Sequence, residues 1–149
     1  MNFSQDLSPL FEVDLGGFGI GAVVDRPTTT DGFNAGLMVI DADWWRQHKV
    51  TDSLFDLTKE HHQNVYGDQG IMNLYFKDAW YQLPWTYNLQ VGSDKDQYGY
   101  GDLEWYDAFK GVPAVIHYTS HNKPWTSNVS IVSGIFGGFI MPYLGKKSY

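Results

Sequence analysis

Three observations predict an α/β fold, an open sheet with flanking helices. Short apolar runs at Ile20-Gly-Ala-Val-Val24, Leu37-Met-Val-Ile40 and Pro113-Ala-Val-Ile116 have the length and unbroken hydrophobicity of buried strands. Between them lie segments with helical caps and three- or four-residue apolar spacing. Finally, the third run ends at a histidine, His117, with a lysine, Lys123, six residues further on and stopped by Pro124. Open α/β sheets hold their ligands beyond the carboxyl ends of strands, which is where these two side chains are expected to emerge.

The elements follow in order. Leu7-Ser-Pro-Leu-Phe11 reads as one helical turn capped by Ser8 with Pro9 at its first position. Gly16-Gly17 leads into the first apolar strand, closed by Asp25, and a polar link carries the chain to Gly32-Phe-Asn-Ala-Gly36 and the second strand. The small residues beside Asn34 let a ligand approach the backbone closely. Asp41 or Asp43 is suited to cap a short helix through Trp44-Trp45-Arg46, and Thr51 or Ser53 to open another reaching about Gln63 with Leu54 and Leu57 inward. His61 and His62 fall near its end and read as surface residues facing the negative end of the helix dipole. Asp68 is placed at the N-cap of a third helix, with Ile71, Leu74 and Tyr75 as its buried stripe. Tyr81 to Leu89 reads as an extended segment broken by Pro84, followed by a polar loop to Gly101 and a short helix over Leu103–Phe109.

Composition narrows the function classes. The 149 residues suit one domain, and 43% hydrophobic with 17% aromatic residues is ample for a core. A net charge of -7 with a pI near 4.9 argues against a phosphate-backbone-binding surface, so nucleic acid is not expected as a partner. Zero cysteines exclude disulfides and thiolate metal sites and fit a reducing compartment, so a cytoplasmic location is expected. Met1 to Asp6 has neither the basic nor the apolar region of a secretory signal. Ile131 to Leu144 is apolar but falls short of the ~20 residues of a spanning helix, so no integral membrane span is expected.

Neutral imidazole can hold a divalent cation, and an ammonium can face phosphate oxygens, so His117 with Lys123 suits a metal-bound diphosphate. The plainer alternative is a strand-end histidine beside a solvated lysine. Asp68 and Gln69 likewise stand either at the open, ligand-facing end of a helix or in an ordinary capped amphipathic helix.

Four blocks in order carry a resemblance: Phe33-Asn-Ala-Gly36, Asp68-Gln-Gly-Ile71, Leu83-Pro84 with Tyr87-Asn88-Leu89, and His117 with Lys123-Pro-Trp125. With them the chain resembles glycosyltransferase family 8, the group of glycogenin and bacterial galactosyl- and glucosyltransferases, from about Leu7 to Trp125. The resemblance implies a partial GT-A, Rossmann-like fold and a retaining hexosyltransferase using a nucleotide-diphosphate sugar, usually a UDP-sugar donor, with a manganese-type divalent metal and a saccharide or glycoprotein acceptor. By position it implies His117 as metal ligand and Lys123 as the grip on the diphosphate. Asn34 and Ala35 resemble donor-sugar contacts, Asp25 and Asp68 contacts to sugar hydroxyls, and Asn88 a further substrate-binding residue. Gln69 is similar to the side chain set beside the anomeric carbon, so Asp68 and Gln69 are the expected catalytic pair. Ser120 stands where the family usually has glycine, and Gly70 where many bacterial members have a second aspartate.

These residue types suit the chemistry. Departure of a nucleoside diphosphate concentrates negative charge on the β-phosphate, and the anomeric carbon becomes oxocarbenium-like, which carboxylates or an amide stabilise. The chain begins just after the position of the family's Asp-x-Asp motif, so the expectation is a truncated domain over 1–149, lacking the nucleotide-binding half, with an incomplete metal site and little activity alone. Residues 130–149 are atypical of the family. One choice of codons for 132–142 gives an aromatic-rich segment in the neighbouring frame, so a frameshifted tail is hypothesised, which sequencing the gene would test. Such a tail would expose apolar surface and favour poor solubility or a homo-oligomer; a complementing chain would be a separate one carrying the nucleotide half. The alternative function is a non-catalytic carbohydrate- or partner-binding module, with Trp80, Trp85, Tyr87, Trp105 and Trp125 as sugar-stacking candidates.

Overall fold

The computed structural model describes residues 1–25, 32–65, 67–91 and 113–119. Within them run β1 (Asn2–Phe3), β2 (Ile20–Val24), β3 (Phe33–Ile40), α1 (Ala42–Gln47), α2 (Val50–His61), α3 (Gly67–Phe76), β4 (Tyr81–Gln82), β5 (Leu89–Val91) and β6 (Val115–Tyr118), with 3-10 turns at Ser8–Glu12 and Trp85–Tyr87. The loop after Val91, the helix over 103–109, Lys123 and the tail lie outside the described residues.

The strands form two mixed three-stranded sheets, in the orders β3-β2-β4 and β1-β6-β5. β2 is antiparallel to β3 and parallel to β4, while β6 is antiparallel to β1 and parallel to β5. At the junction, Gln90 on β5 donates its side-chain amide to the Val24 carbonyl at the end of β2 (2.9 Å).

β2 is covered on both faces, which is why it reads as an unbroken apolar run. Ile20 and Ala22 pack with Phe33, Val50, Met72 and Phe76 under the helices. Val23 points the other way, against Leu10 of the first 3-10 turn and Leu83. Gly21 lies on that second face, where a Cβ would stand 2.7 Å from Leu15 Cδ2. Trp44 lies against Gly19 and stacks on His48 with ring centroids 3.8 Å apart.

Several local expectations need correction. Ser8 does not cap its turn: Asp6 Oδ1 accepts from both the Ser8 amide and its hydroxyl. Asp41 is the cap of α1, accepting from the Asp43 and Trp44 amides. α2 starts at Val50, ahead of Thr51 and Ser53, because Lys49 adopts a left-handed conformation (φ 49°) that turns the chain sharply out of α1. α3 begins at Gly67, so Asp68 sits in its first turn, and its buried residues are Ile71, Met72 and Phe76, with Leu74 exposed. The 3.6-residue period admits both stripes; the position of β3 selects this one. The second strand starts four residues before Leu37, so Asn34 belongs to the strand. β6 extends through Tyr118, so His117 lies within it and not beyond its end.

Candidate active site

The site is built on a defect in β3. Ala22 pairs with Met38, but the next residue of β2, Val23, pairs with Asn34, so Ala35, Gly36 and Leu37 bulge out of the ladder. Asn34 holds the bulge with its own side chain, Oδ1 accepting from the Gly36 amide at 3.0 Å. Bulges re-aim the groups around them. Here the bulge brings Gly36 against the ring of His117, so closely that a Cβ would stand 2.5 Å from Nδ1.

From Asn34 a continuous hydrogen-bonded unit runs in both directions. Asn34 Nδ2 donates to Asp25 Oδ1 (3.2 Å), and Gln69 Nε2 donates to Asp25 Oδ2 (2.7 Å). Gln69 Oε1 accepts from the Ala35 amide (3.1 Å). On the other side, Asn88 Nδ2 donates to Asn34 Oδ1 (2.9 Å), and Asn88 Oδ1 lies 3.1 Å from His117 Nδ1. Asp25, Asn34 and Asn88 are buried, and burying a carboxylate and two primary amides costs free energy unless their polar atoms are paired. Among the described residues, no buried side-chain N or O atom lacks a hydrogen-bond partner.

Five of the sequence-expected residues, Asp25, Asn34, Gln69, Asn88 and His117, thus meet in one unit drawn from the end of β2, β3, α3, the approach to β5, and β6. Ala35 joins through its amide. Asp68 is exposed at the start of α3, where its carboxylate accepts from the Gln69 amide (2.8 Å). Two contributors, Asn73 and Gln90, are new, and a third, Gly36, is in the sequence only one of the small residues beside Asn34. Asn73 accepts from the Phe33 amide and donates to the Phe33 and Gln69 carbonyls, all at 2.8–2.9 Å, locking α3 to β3. Gln90 joins the two sheets, and Gly36 admits His117. Asn73 lies one turn after Gln69 on the same helix face, a spacing visible in the sequence, but nothing in the sequence indicates that this face meets a strand backbone.

His117 can serve as one ligand of a divalent ion. Among the described residues no group of three or more His, Cys, Asp or Glu side chains is placed to hold one, and such an ion takes about six ligands. The sugar-stacking candidates fare differently: Trp80 packs on Phe33 (5.3 Å between centroids), and Trp85 and Tyr87 pack against the Leu10–Val23–Leu83 cluster. Trp105 and Trp125 lie outside the described residues.

The mixed α/β frame is a partial form of the GT-A fold of glycosyltransferases. The chain belongs to glycosyltransferase family 8, whose model matches residues 2–129. It is 40% identical over 126 residues to the glycosyltransferase GlyF of Streptococcus pneumoniae, covering 82% of this chain and 31% of GlyF. Its structure is similar to that of the apo-form glycosyltransferase GlyE from the same species, with a TM-score of 0.73 at 35% identity, covering 84% of this chain and 32% of GlyE. The fold is also similar to that of an active-site mutant of LgtC, with a TM-score of 0.66 at 23% identity over 89% of this chain and 54% of LgtC. The chain spans about a third of the length of the curated relatives GlyF and GlyB that it matches. Among the described residues, no helix is long and apolar enough to cross a membrane.

Proposed function

We propose that this chain carries the sugar-side residues of a retaining hexosyltransferase, which moves glucose or galactose from a UDP-sugar to a saccharide or protein-linked acceptor. The observation that carries this reading is the single hydrogen-bonded unit of Asp25, Asn34, Gln69, Asn88 and His117. Hexose hydroxyls each donate and accept, and a carboxylate with primary amides offers both functions in fixed positions. Gln69 and the adjacent Asp68 sit together at the start of α3, suited to the face of the anomeric carbon.

In the proposed reaction the bond from the anomeric carbon to the β-phosphate oxygen breaks, and its electron pair leaves with the diphosphate. The acceptor oxygen forms the new bond on the same face, and its proton passes to the departing phosphate. Asp68 and the Gln69 amide stabilise the positive charge that develops on the sugar, while the Lys123 ammonium stabilises the negative charge on the leaving group. A divalent cation, manganese by family, would add charge stabilisation when bound, with His117 as one ligand. Turnover by the 149 residues alone is expected to be weak, because a divalent ion takes about six ligands and His117 is the one ligand this reading names. A complementing chain or second copy supplying oxygen ligands is expected to raise it, in the cytoplasm where UDP-sugars are available.

A donor-hydrolysis assay with UDP-glucose and UDP-galactose, with and without manganese, tests the proposal. Turnover that rises with manganese and is lost in His117→Ala is the expected result. Neither turnover nor calorimetric binding of either donor, alongside measurable oligosaccharide binding, would replace it with the binding-module reading.

A further inference from the structure

The buried amides assign a proton. Asparagine oxygens and nitrogens exchange roles by a simple flip, so the polarity of such a chain must be anchored at a group that cannot flip. The Gly36 backbone amide is such a group: it can only donate, so the Asn34 side-chain atom 3.0 Å away is the oxygen. Asn34 Nδ2 then faces the Asp25 carboxylate, which accepts, so both ends of Asn34 demand the same orientation. Asn88 approaches Asn34 Oδ1 at 2.9 Å, and that oxygen can only accept, so Asn88 presents its nitrogen there. Its oxygen is thereby turned to His117 Nδ1, 3.1 Å away, and an amide oxygen can only accept. His117 Nδ1 must carry hydrogen.

We propose that Asn88 is a positioning residue that holds neutral His117 in the Nδ1–H tautomer, with Nε2 as the lone-pair nitrogen. The β3 bulge, read out through Asn34, sets the direction. Four features make the assignment firm rather than one contact among many. Asn88 is fully buried, so water does not compete for its oxygen. Asn34 is also buried, so its orientation is held between Gly36 and Asp25. The imidazole is packed against Gly36, with no room for a Cβ between them, which fixes the ring plane. Finally, Asn88 immediately precedes β5, which pairs in parallel with the β6 strand that carries His117, so backbone hydrogen bonds of the adjoining strand limit their spacing. The consequence is chemical: a tautomer with its lone pair on Nε2 can ligate a cation or accept a ligand proton at that atom, and one with the lone pair on Nδ1 cannot. The partner of Nε2 rests on the functional reading above; the tautomer itself does not.

Long-range ¹⁵N–¹H NMR of the imidazoles in the full chain, recorded well above the ordinary imidazole pKa of about 6.5, tests this directly. The signals of His117 among the five histidines are assigned by their loss in His117→Gln. The expected spectrum has a protonated Nδ1 and an unprotonated Nε2 in the wild-type protein, with no metal or donor added. Asn88→Leu, which removes the acceptor toward Nδ1, is expected to move population to the Nε2–H form. An Nε2–H tautomer in the wild-type protein would overturn the proposal even if Asn88→Leu does not fold, as would an Nδ1–H pattern that persists unchanged in Asn88→Leu. Calorimetric titration with manganese alone separates the two readings. If His117 ligates the ion, Asn88→Leu should weaken binding about 10- to 100-fold, in line with other residues that orient a ligand. An Nδ1–H spectrum with no manganese binding supports the tautomer assignment and counts only against the metal role.

Discussion

Gln69 Nε2 donates to Asp25 Oδ2 at 2.7 Å, joining the first turn of α3 to the end of β2 across 44 positions of sequence. The same side chain accepts from the Ala35 amide through Oε1, so one residue satisfies a buried carboxylate and a bulged backbone together. Gln69→Leu keeps the bulk and removes both bonds. It should cost about 1–3 kcal/mol of stability, read as a lower urea midpoint, because it strips a partner from the buried carboxylate and from a part-buried amide. An unchanged midpoint would mean that water replaces the amide.

Asn73 acts as a short piece of strand, pairing both backbone groups of Phe33 with one amide. Asn73→Ala leaves the Phe33 amide without that acceptor and should destabilise by roughly 1–3 kcal/mol. Asn73→Asp should fare worse than an isosteric change suggests, because its carboxylate oxygen would face the Phe33 and Gln69 carbonyls, which only accept. Hydrogen exchange of the Phe33 amide would report both effects.

Gly36→Ala places a methyl group 2.5 Å from His117 Nδ1 and 2.8 Å from Asn34 Oδ1. Either the ring or the bulge must move, at a cost of about 1–3 kcal/mol. The His117 imidazole signals should shift more than those of the exposed His62. A variant that retains wild-type stability and wild-type His117 signals would show that the bulge tolerates a side chain.

Tyr118 is buried at the end of β6, and burial raises its phenol above the ordinary value of 10.0. The unfolded chain releases this proton near pH 10, whereas the folded chain keeps it to higher pH. The stabilising contribution is therefore fully present below about pH 10 and is lost as pH rises through the raised folded value. Thermal melts between neutral and strongly alkaline pH should show this decline, and Tyr118→Phe should flatten it.

The sequence and the fold agree where local chemistry dominates. The β2 run was legible because both of its faces are buried, and so was a carboxylate cap for α1, though only as Asp41 or Asp43, of which the structure uses Asp41. Agreement fails where a partner distant in sequence decides. Leu74 and Met72 are equally suited to a buried stripe, and only the packing of α3 against β3 buries Met72 and leaves Leu74 exposed. Trp80, Trp85 and Tyr87 look like a sugar platform when listed by type, yet each packs against a core cluster.

Taken alone, the sequence determined the fold class and the family and pointed to five side chains that meet in one hydrogen-bonded unit, because those properties reside in residue type, order and short-range period. The tertiary structure decided how these side chains are held. The three-residue bulge in β3, the docking of Asn73 on Phe33 and the direction of the Gly36–Asn34–Asn88–His117 chain all arise from contacts between distant segments. Hydrogen-bond polarity in particular has no local signature, since an asparagine reads the same in either orientation until a backbone amide elsewhere in the fold fixes it.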